Sequence, residues 1–125
     1  MTIPASSYLT LDGLTKTYGA VNAVDDVSLT VAEGEFVSLL GPSGCGKTTT
    51  LRMIAGFVVP TAGQIVLSDR EIAAVPPYRR GMGVVFQNYA LFPHLNVEQN
   101  VAFGLQMARV PKAEAQQRVE RTLTL

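Results

Sequence analysis

Polar and apolar residues alternate from Ser7 to Leu11, which puts Leu9 and Leu11 on one face of a strand. The extended pattern resumes from Leu14 to Tyr18 and stops at Gly19, a turn residue. Val27, Leu29 and Val31 alternate with Ser28 and Thr30, a half-buried strand preceded by Asp25-Asp26 as loop or edge residues. Glu33-Gly34 then turns the chain into Phe36-Val37-Ser38-Leu39-Leu40, an apolar run of the length a buried strand has. The front of the chain is therefore read as strands in hairpin-rich order.

After residue 48 the period changes. Leu51, Ile54 and Ala55 recur at helical spacing, and Gly56 stands where a helix C-cap glycine belongs. Pro60 to Gly63 reads as a loop, Gln64 to Leu67 as a strand and Ser68-Asp69 as a turn. Pro76-Pro77 forbids a helix at that point. Gly83-Val84-Val85-Phe86 is a second buried-strand run and ends in Gln87. Asn88 to His94 is a loop rich in aromatics, stopped by Pro93. Asn96 with Gln99 predicts a capped helix whose stripe is Val97, Val101 and Leu105. Pro111 suits the first turn of a last helix, lined by Ala115, Val119 and Leu123.

The change of period falls on Gly41-Pro42-Ser43-Gly44-Cys45-Gly46-Lys47-Thr48, which fits G-x-x-x-x-G-K-[ST]. Strand, glycine loop, helix is the context that gives this pattern its chemistry. The glycines let the backbone turn tightly and bring N–H groups close to phosphate oxygens. The helix beginning near Gly46 adds free N–H groups and a dipole that favour an anion. Lys47 would reach the β- and γ-phosphates, the Thr48 hydroxyl would be a ligand to Mg²⁺, and Thr49 would add a contact toward the α-phosphate. Cys45, at the helix start, is expected to be reactive toward maleimide and shielded by bound nucleotide.

Composition narrows the classes. A chain of 125 residues suits one small domain, and 47% hydrophobic against 16% charged residues allows a packed core. Ten basic against ten acidic residues leave no electrostatic case for nucleic acid as main partner. A single cysteine, Cys45, rules out an intrachain disulfide and fits a reducing compartment. Met1 to Ser7 lacks a basic stretch leading into an apolar one, so no leader is expected there. No apolar run approaches the ~20 residues a membrane span needs, so a membrane role would come through a partner.

With Tyr18, the glycine loop and Gln87 located, the sequence resembles the ATP-binding subunit of ABC transporters over nearly the whole chain from about residue 8. Thr15-Lys16-Thr17-Tyr18-Gly19 is similar to the A-loop, whose aromatic ring stacks on adenine. Gly41 to Thr49 is similar to the Walker A segment. Val85-Phe86-Gln87 is similar to the entry of the Q-loop, whose glutamine approaches Mg²⁺ and the attacking water. The stretch Asn88 to Val101 is similar to bacterial importers of polyamines, ferric iron, sugars and related solutes. The resemblance implies an α/β fold, a P-loop NTPase of ABC ATPase type. It would have an N-terminal antiparallel β subdomain, a partial parallel core sheet and the start of the helical subdomain, incomplete. ATP and Mg²⁺ would be the cofactors. Tyr18, Gly41, Pro42, Ser43, Gly44, Cys45, Gly46, Lys47, Thr48, Thr49 and Gln87 would surround the nucleotide, with Thr48 and Gln87 at the metal. The implied partners are membrane-spanning permease subunits docking on residues 88–101, a second ATP-binding subunit and, indirectly, a solute-binding protein. The implied location is cytoplasmic, on the inner face of the cell membrane. At Ser68-Asp69-Arg70 the family often has Asp-Gly, and Arg70 suits a positive φ poorly, which puts the turn type in question.

The family's LSGGQ-type signature, its Walker B aspartate with the catalytic glutamate, and its switch histidine do not follow residue 87. Glu98, Glu114 and Glu120 fall on predicted helices, not at a buried strand end. Residues 1–125 are therefore expected to be the N-terminal part of one nucleotide-binding domain. That part would bind ATP, with Lys47 and Gln87 assisting, and would contain no catalytic base. Hydrolysis and solute import would belong to the full-length subunit. In the family's sheet, later strands insert between the runs at 36–40 and 83–86. Apolar edges and a tendency to aggregate are expected here. The alternatives are a soluble ABC-type ATPase acting on ribosomes or DNA, a non-catalytic nucleotide-binding module, and a small P-loop kinase. The importer-like loop, the absence of basic patches and the hairpin-rich front end argue against the first and last.

Overall fold

The computed structural model describes residues 7–125. The expected absence of a leader over Met1–Ser7 lies outside them for all but Ser7. The chain divides into two compact units, Met1–Val84 and Val85–Leu125.

The first unit is built on a four-stranded antiparallel sheet in the order β2-β1-β3-β4. Its strands are β1 (Ser7–Tyr18), β2 (Val21–Ala32), β3 (Ala62–Leu67) and β4 (Arg70–Glu71). The two predicted segments at 7–11 and 14–18 form one strand, interrupted where the register shifts between Leu11 and Leu14. Gly13 sits there at φ 58, and opposite it Asp26 adopts φ 50. Side chains of the neighbouring strands satisfy this double irregularity. The Gly13 N–H donates to Ser28 Oγ at 2.9 Å and the Asp26 N–H to Thr15 Oγ1 at 3.1 Å. Asp25 and Asp26 thus lie inside β2, not ahead of it, because a bulge hides the strand's alternation.

β3 and β4 form a hairpin through Ser68 (φ 46) and Asp69 (φ 65). Both central residues are left-handed, the requirement of a type I′ turn. Arg70 is already in β4, so the positive φ falls on the polar pair before it.

α1 (Lys47–Ala55) covers this sheet. Leu11, Leu14, Met53 and Ile65 are fully buried, joined by Val24 and Ile72. Burying each such side chain contributes about 1.5–3 kcal/mol. Met53 rather than Leu51 faces the core; Leu51 is exposed. The helix sets Thr50, Met53 and Ala55 inward, and Leu51 lies off that face.

The predicted strands at 36–40 and 83–86 are not strands. Neither segment is assigned to a strand, and no parallel strand pair occurs among the described residues. Phe36 is 93% exposed, Leu40 99% and Val85 91%. Apolar content makes a segment suitable for a sheet interior but does not supply the neighbouring strands that would pair its N–H and C=O groups. The expected partial parallel core sheet is therefore not formed by these residues.

The second unit holds α2 (Val97–Met107) and α3 (Lys112–Leu123). α2 starts with a complete capping box. Asn96 Oδ1 accepts from the Gln99 N–H at 2.8 Å, and Gln99 Oε1 accepts from the Asn96 N–H at 2.9 Å. α3 follows Pro111 and buries Ala115 and Val119, while Leu123 is exposed. Glu114 and Arg118, one turn apart on α3, form an exposed ion pair. No helix among the described residues is long and apolar enough to cross a membrane.

Candidate nucleotide site

Gly46 is the N-cap of α1, at φ 92, and makes no side-chain cap bond. It must be glycine twice over. The φ is left-handed, and a Cβ would stand 2.4 Å from the Ala23 carbonyl oxygen. β2 thus presses directly on the loop. The Thr50 N–H and Oγ1 both donate to the Gly46 carbonyl at 2.9 Å, closing the first helical turn.

The Lys47 side chain folds back over the loop. Its ammonium donates to the Gly41 carbonyl at 2.5 Å, the Pro42 carbonyl at 2.8 Å and Cys45 Sγ at 3.3 Å. Gly44 turns the loop at φ 81, and the Cys45 N–H donates to the Pro42 carbonyl at 3.3 Å. Pro42, Ser43, Gly44, Cys45 and Thr48 are exposed; Gly41, Gly46, Lys47 and Thr49 are half-buried. A cation, a tight glycine turn and a helix N-terminus without a side-chain cap converge on one loop. That arrangement suits a polyanion.

Tyr18 ends β1 in the same unit, half exposed, paired with Val21 across the turn at Gly19. The Lys16 ammonium lies 5.0 Å from its ring centroid and donates to the Val59 carbonyl at 2.8 Å. Gln87 belongs to the second unit, where it opens the turn 87–90 and is exposed. The structure therefore gathers Tyr18 and residues 41–49 in one unit and carries Gln87 on the other.

Sequence reasoning missed two residues. Arg80 is 6% exposed and seals the far end of α1. Its Nη1 donates to the Met53 and Ile54 carbonyls at 2.8 and 2.7 Å. Its Nε donates to Val75 at 2.7 Å and its Nη2 to Ala73 at 3.0 Å. A cation at a helix C-terminus meets the negative end of the dipole. Burial lowers the Arg80 pKa from its ordinary value, and the Glu71 carboxylate opposes that shift. A helix ending in glycine signals a need for such a partner, but nothing in the local sequence points 24 residues on. Asn100 is the second. Its Nδ2 donates to the Leu95 and Asn96 carbonyls at 3.0 and 2.9 Å, and its Oδ1 accepts from the Phe92 N–H at 2.8 Å. It ties the aromatic loop to α2, with the Phe92 ring 4.4 Å from that of Phe103.

A glycine loop that runs into the N-terminus of a helix packed on an antiparallel sheet defines the class: a P-loop protein of ABC ATPase fold. Residues 24–125 match the family described as ABC transporter, and the chain belongs to it. It is 60% identical over 115 residues to the spermidine/putrescine import ATP-binding protein PotA of Rubrobacter xylanophilus, covering 92% of this chain and 30% of that protein. It is 56% identical to the putrescine transport ATP-binding protein PotG of Escherichia coli, covering 94% of this chain and 31% of the relative. The chain thus spans about a third of the length of these curated relatives. Among solved structures it resembles a dimeric post-hydrolysis state of the ATP-binding cassette MJ0796 bound to ADP and Pi. The TM-score is 0.81 at 32% identity, over 93% of this chain and 56% of that one.

Proposed function

We propose that residues 41–49 bind the triphosphate of MgATP, that Tyr18 carries the base, and that the chain is the front part of the ATP-hydrolysing subunit of a polyamine importer. The observation that carries the reading is the Lys47 ammonium folded over a glycine loop at the uncapped N-terminus of α1. The names of the PotA and PotG relatives, spermidine/putrescine import and putrescine transport, support a polyamine as solute. The charge on the triphosphate would draw Lys47 off the Gly41 and Pro42 carbonyls, and the loop N–H groups would take the remaining oxygens. Mg²⁺ fits the donor set. No group of three His, Cys, Asp or Glu that could hold a metal occurs among the described residues, whereas Thr48 presents an exposed hydroxyl at the loop. Magnesium is commonly held in this way, by one or two protein oxygens and the substrate phosphates. When bound, it would neutralise phosphate charge. Gln87 is the second residue proposed for that ion.

Residues 1–125 form the N-terminal part of one nucleotide-binding domain in this reading. Residues 88–101, shaped by Asn100 and Phe92, receive a permease subunit at the inner face of the membrane. A second ATP-binding subunit completes the site. None of the residues proposed around the nucleotide is a general base, so the 125-residue chain binds ATP without turning it over. Titration with MgATP beside a phosphate-release assay tests this. The expected result is saturable binding, weakened at least about tenfold by Lys47→Ala through the lost charged contact, with no turnover. Phosphate release that Lys47→Ala abolishes would overturn the binding-only account, and equal binding by both chains would overturn the site.

A further inference from the structure

The ring of Tyr18 is held from one side by a group that nothing in the glycine loop accounts for. Lys16 projects its ammonium over that ring, 5.0 Å from the centroid, and the same ammonium donates to the Val59 carbonyl at 2.8 Å. Val59 lies three residues beyond the C-cap of α1, so Lys16 links the end of β1 to the segment leaving the loop's helix. The backbone reinforces the link. The Thr61 N–H donates to the Thr15 carbonyl at 2.8 Å, and the Thr17 N–H donates to Thr61 Oγ1 at 3.0 Å. On the other strand Lys16 is paired with Val24, whose Cγ2 would be 3.2 Å from a Cβ built on Gly46. Lys16 is therefore anchored at both ends of its reach to elements that carry the loop.

We infer that Lys16 is a positioning residue for the base platform: it covers one face of Tyr18, fixes the ring, and leaves the opposite face for a single purine. The inference rests on the proposed role of Tyr18. Its physical content is preorganisation. A half-exposed tyrosine that must be ordered on binding weakens affinity, and a cation already seated on its face removes part of that cost. The cation also takes up one electron-rich face, so a base has one surface left to stack on.

The test separates base from phosphate. MgATP and magnesium tripolyphosphate are titrated into the full chain and into Lys16→Met, Lys16→Arg and Tyr18→Ala, each with an unchanged thermal melt. Lys16→Met keeps the apolar stem and loses the charge and the donor. The expected result is a roughly threefold weakening of MgATP by Lys16→Met, no change for tripolyphosphate, and recovery in Lys16→Arg. Equal weakening of both ligands would show simple charge attraction and overturn the inference. A Lys16→Met chain that binds MgATP as the parent does, while Tyr18→Ala does not, overturns the role of Lys16 and leaves the platform standing. If Tyr18→Ala also binds MgATP normally, the platform itself fails.

Discussion

A single buried cation decides how the loop's helix ends. Arg80 gives hydrogen bonds to four carbonyls, two of them at the C-terminus of α1. Gly56 is what makes room for it, since a Cβ there would stand 2.5 Å from Arg80 Nε at a backbone φ of 89. Gly56→Ala should therefore cost about 1–3 kcal/mol, from left-handed strain and displacement of the guanidinium together. Urea unfolding followed by circular dichroism checks the shift. Arg80→Met should cost at least about 2 kcal/mol by the same measurement, because it leaves buried carbonyls without donors. Neither effect was legible in the sequence. Gly56 reads as a C-cap from its position alone, but its partner is distant in the chain, and a Tyr-Arg-Arg-Gly stretch looks like solvated surface. The loop, by contrast, was legible because its pattern is local: Gly41, Gly44, Gly46, Lys47 and Thr48 fall within eight positions.

At the level of elements, local signals were kept and tertiary ones were not. The box at Asn96 and Gln99 was readable because both bonds close within three residues. Asn96→Ala should weaken α2 by about 1 kcal/mol, seen as faster amide exchange over its first turn with α3 unchanged. The turn at Ser68-Asp69 is legible as a turn but not as to type, because which two residues take the positive φ depends on where β4 begins, at Arg70. The bulge at Gly13 and Asp26 concealed six residues of β2. The runs at 36–40 and 83–86 show the limit of hydropathy. Their apolar residues are real, but the burial they suggest depends on neighbouring strands that residues 7–125 do not provide.

Across the whole molecule those runs have a consequence for behaviour in solution. Phe36, Leu40 and Val85 expose nearly all of their side chains, a pattern soluble monomers avoid. Sedimentation of the 125-residue chain should show concentration-dependent self-association, reduced when Phe36→Gln and Leu40→Gln are combined. A monomer at all concentrations would mean that these segments are covered in some other way. Family membership and fold rest on matches that run along nearly the whole chain. The proposed nucleotide site rests on one loop and one lysine. Cys45 reports on that loop most directly, because it is the chain's one cysteine, is exposed and touches the Lys47 ammonium. Maleimide labelling of Cys45 should be slowed by MgATP in the parent chain and not in Lys47→Ala. Labelling that proceeds at the same rate while MgATP is bound would place the nucleotide elsewhere and contradict the account.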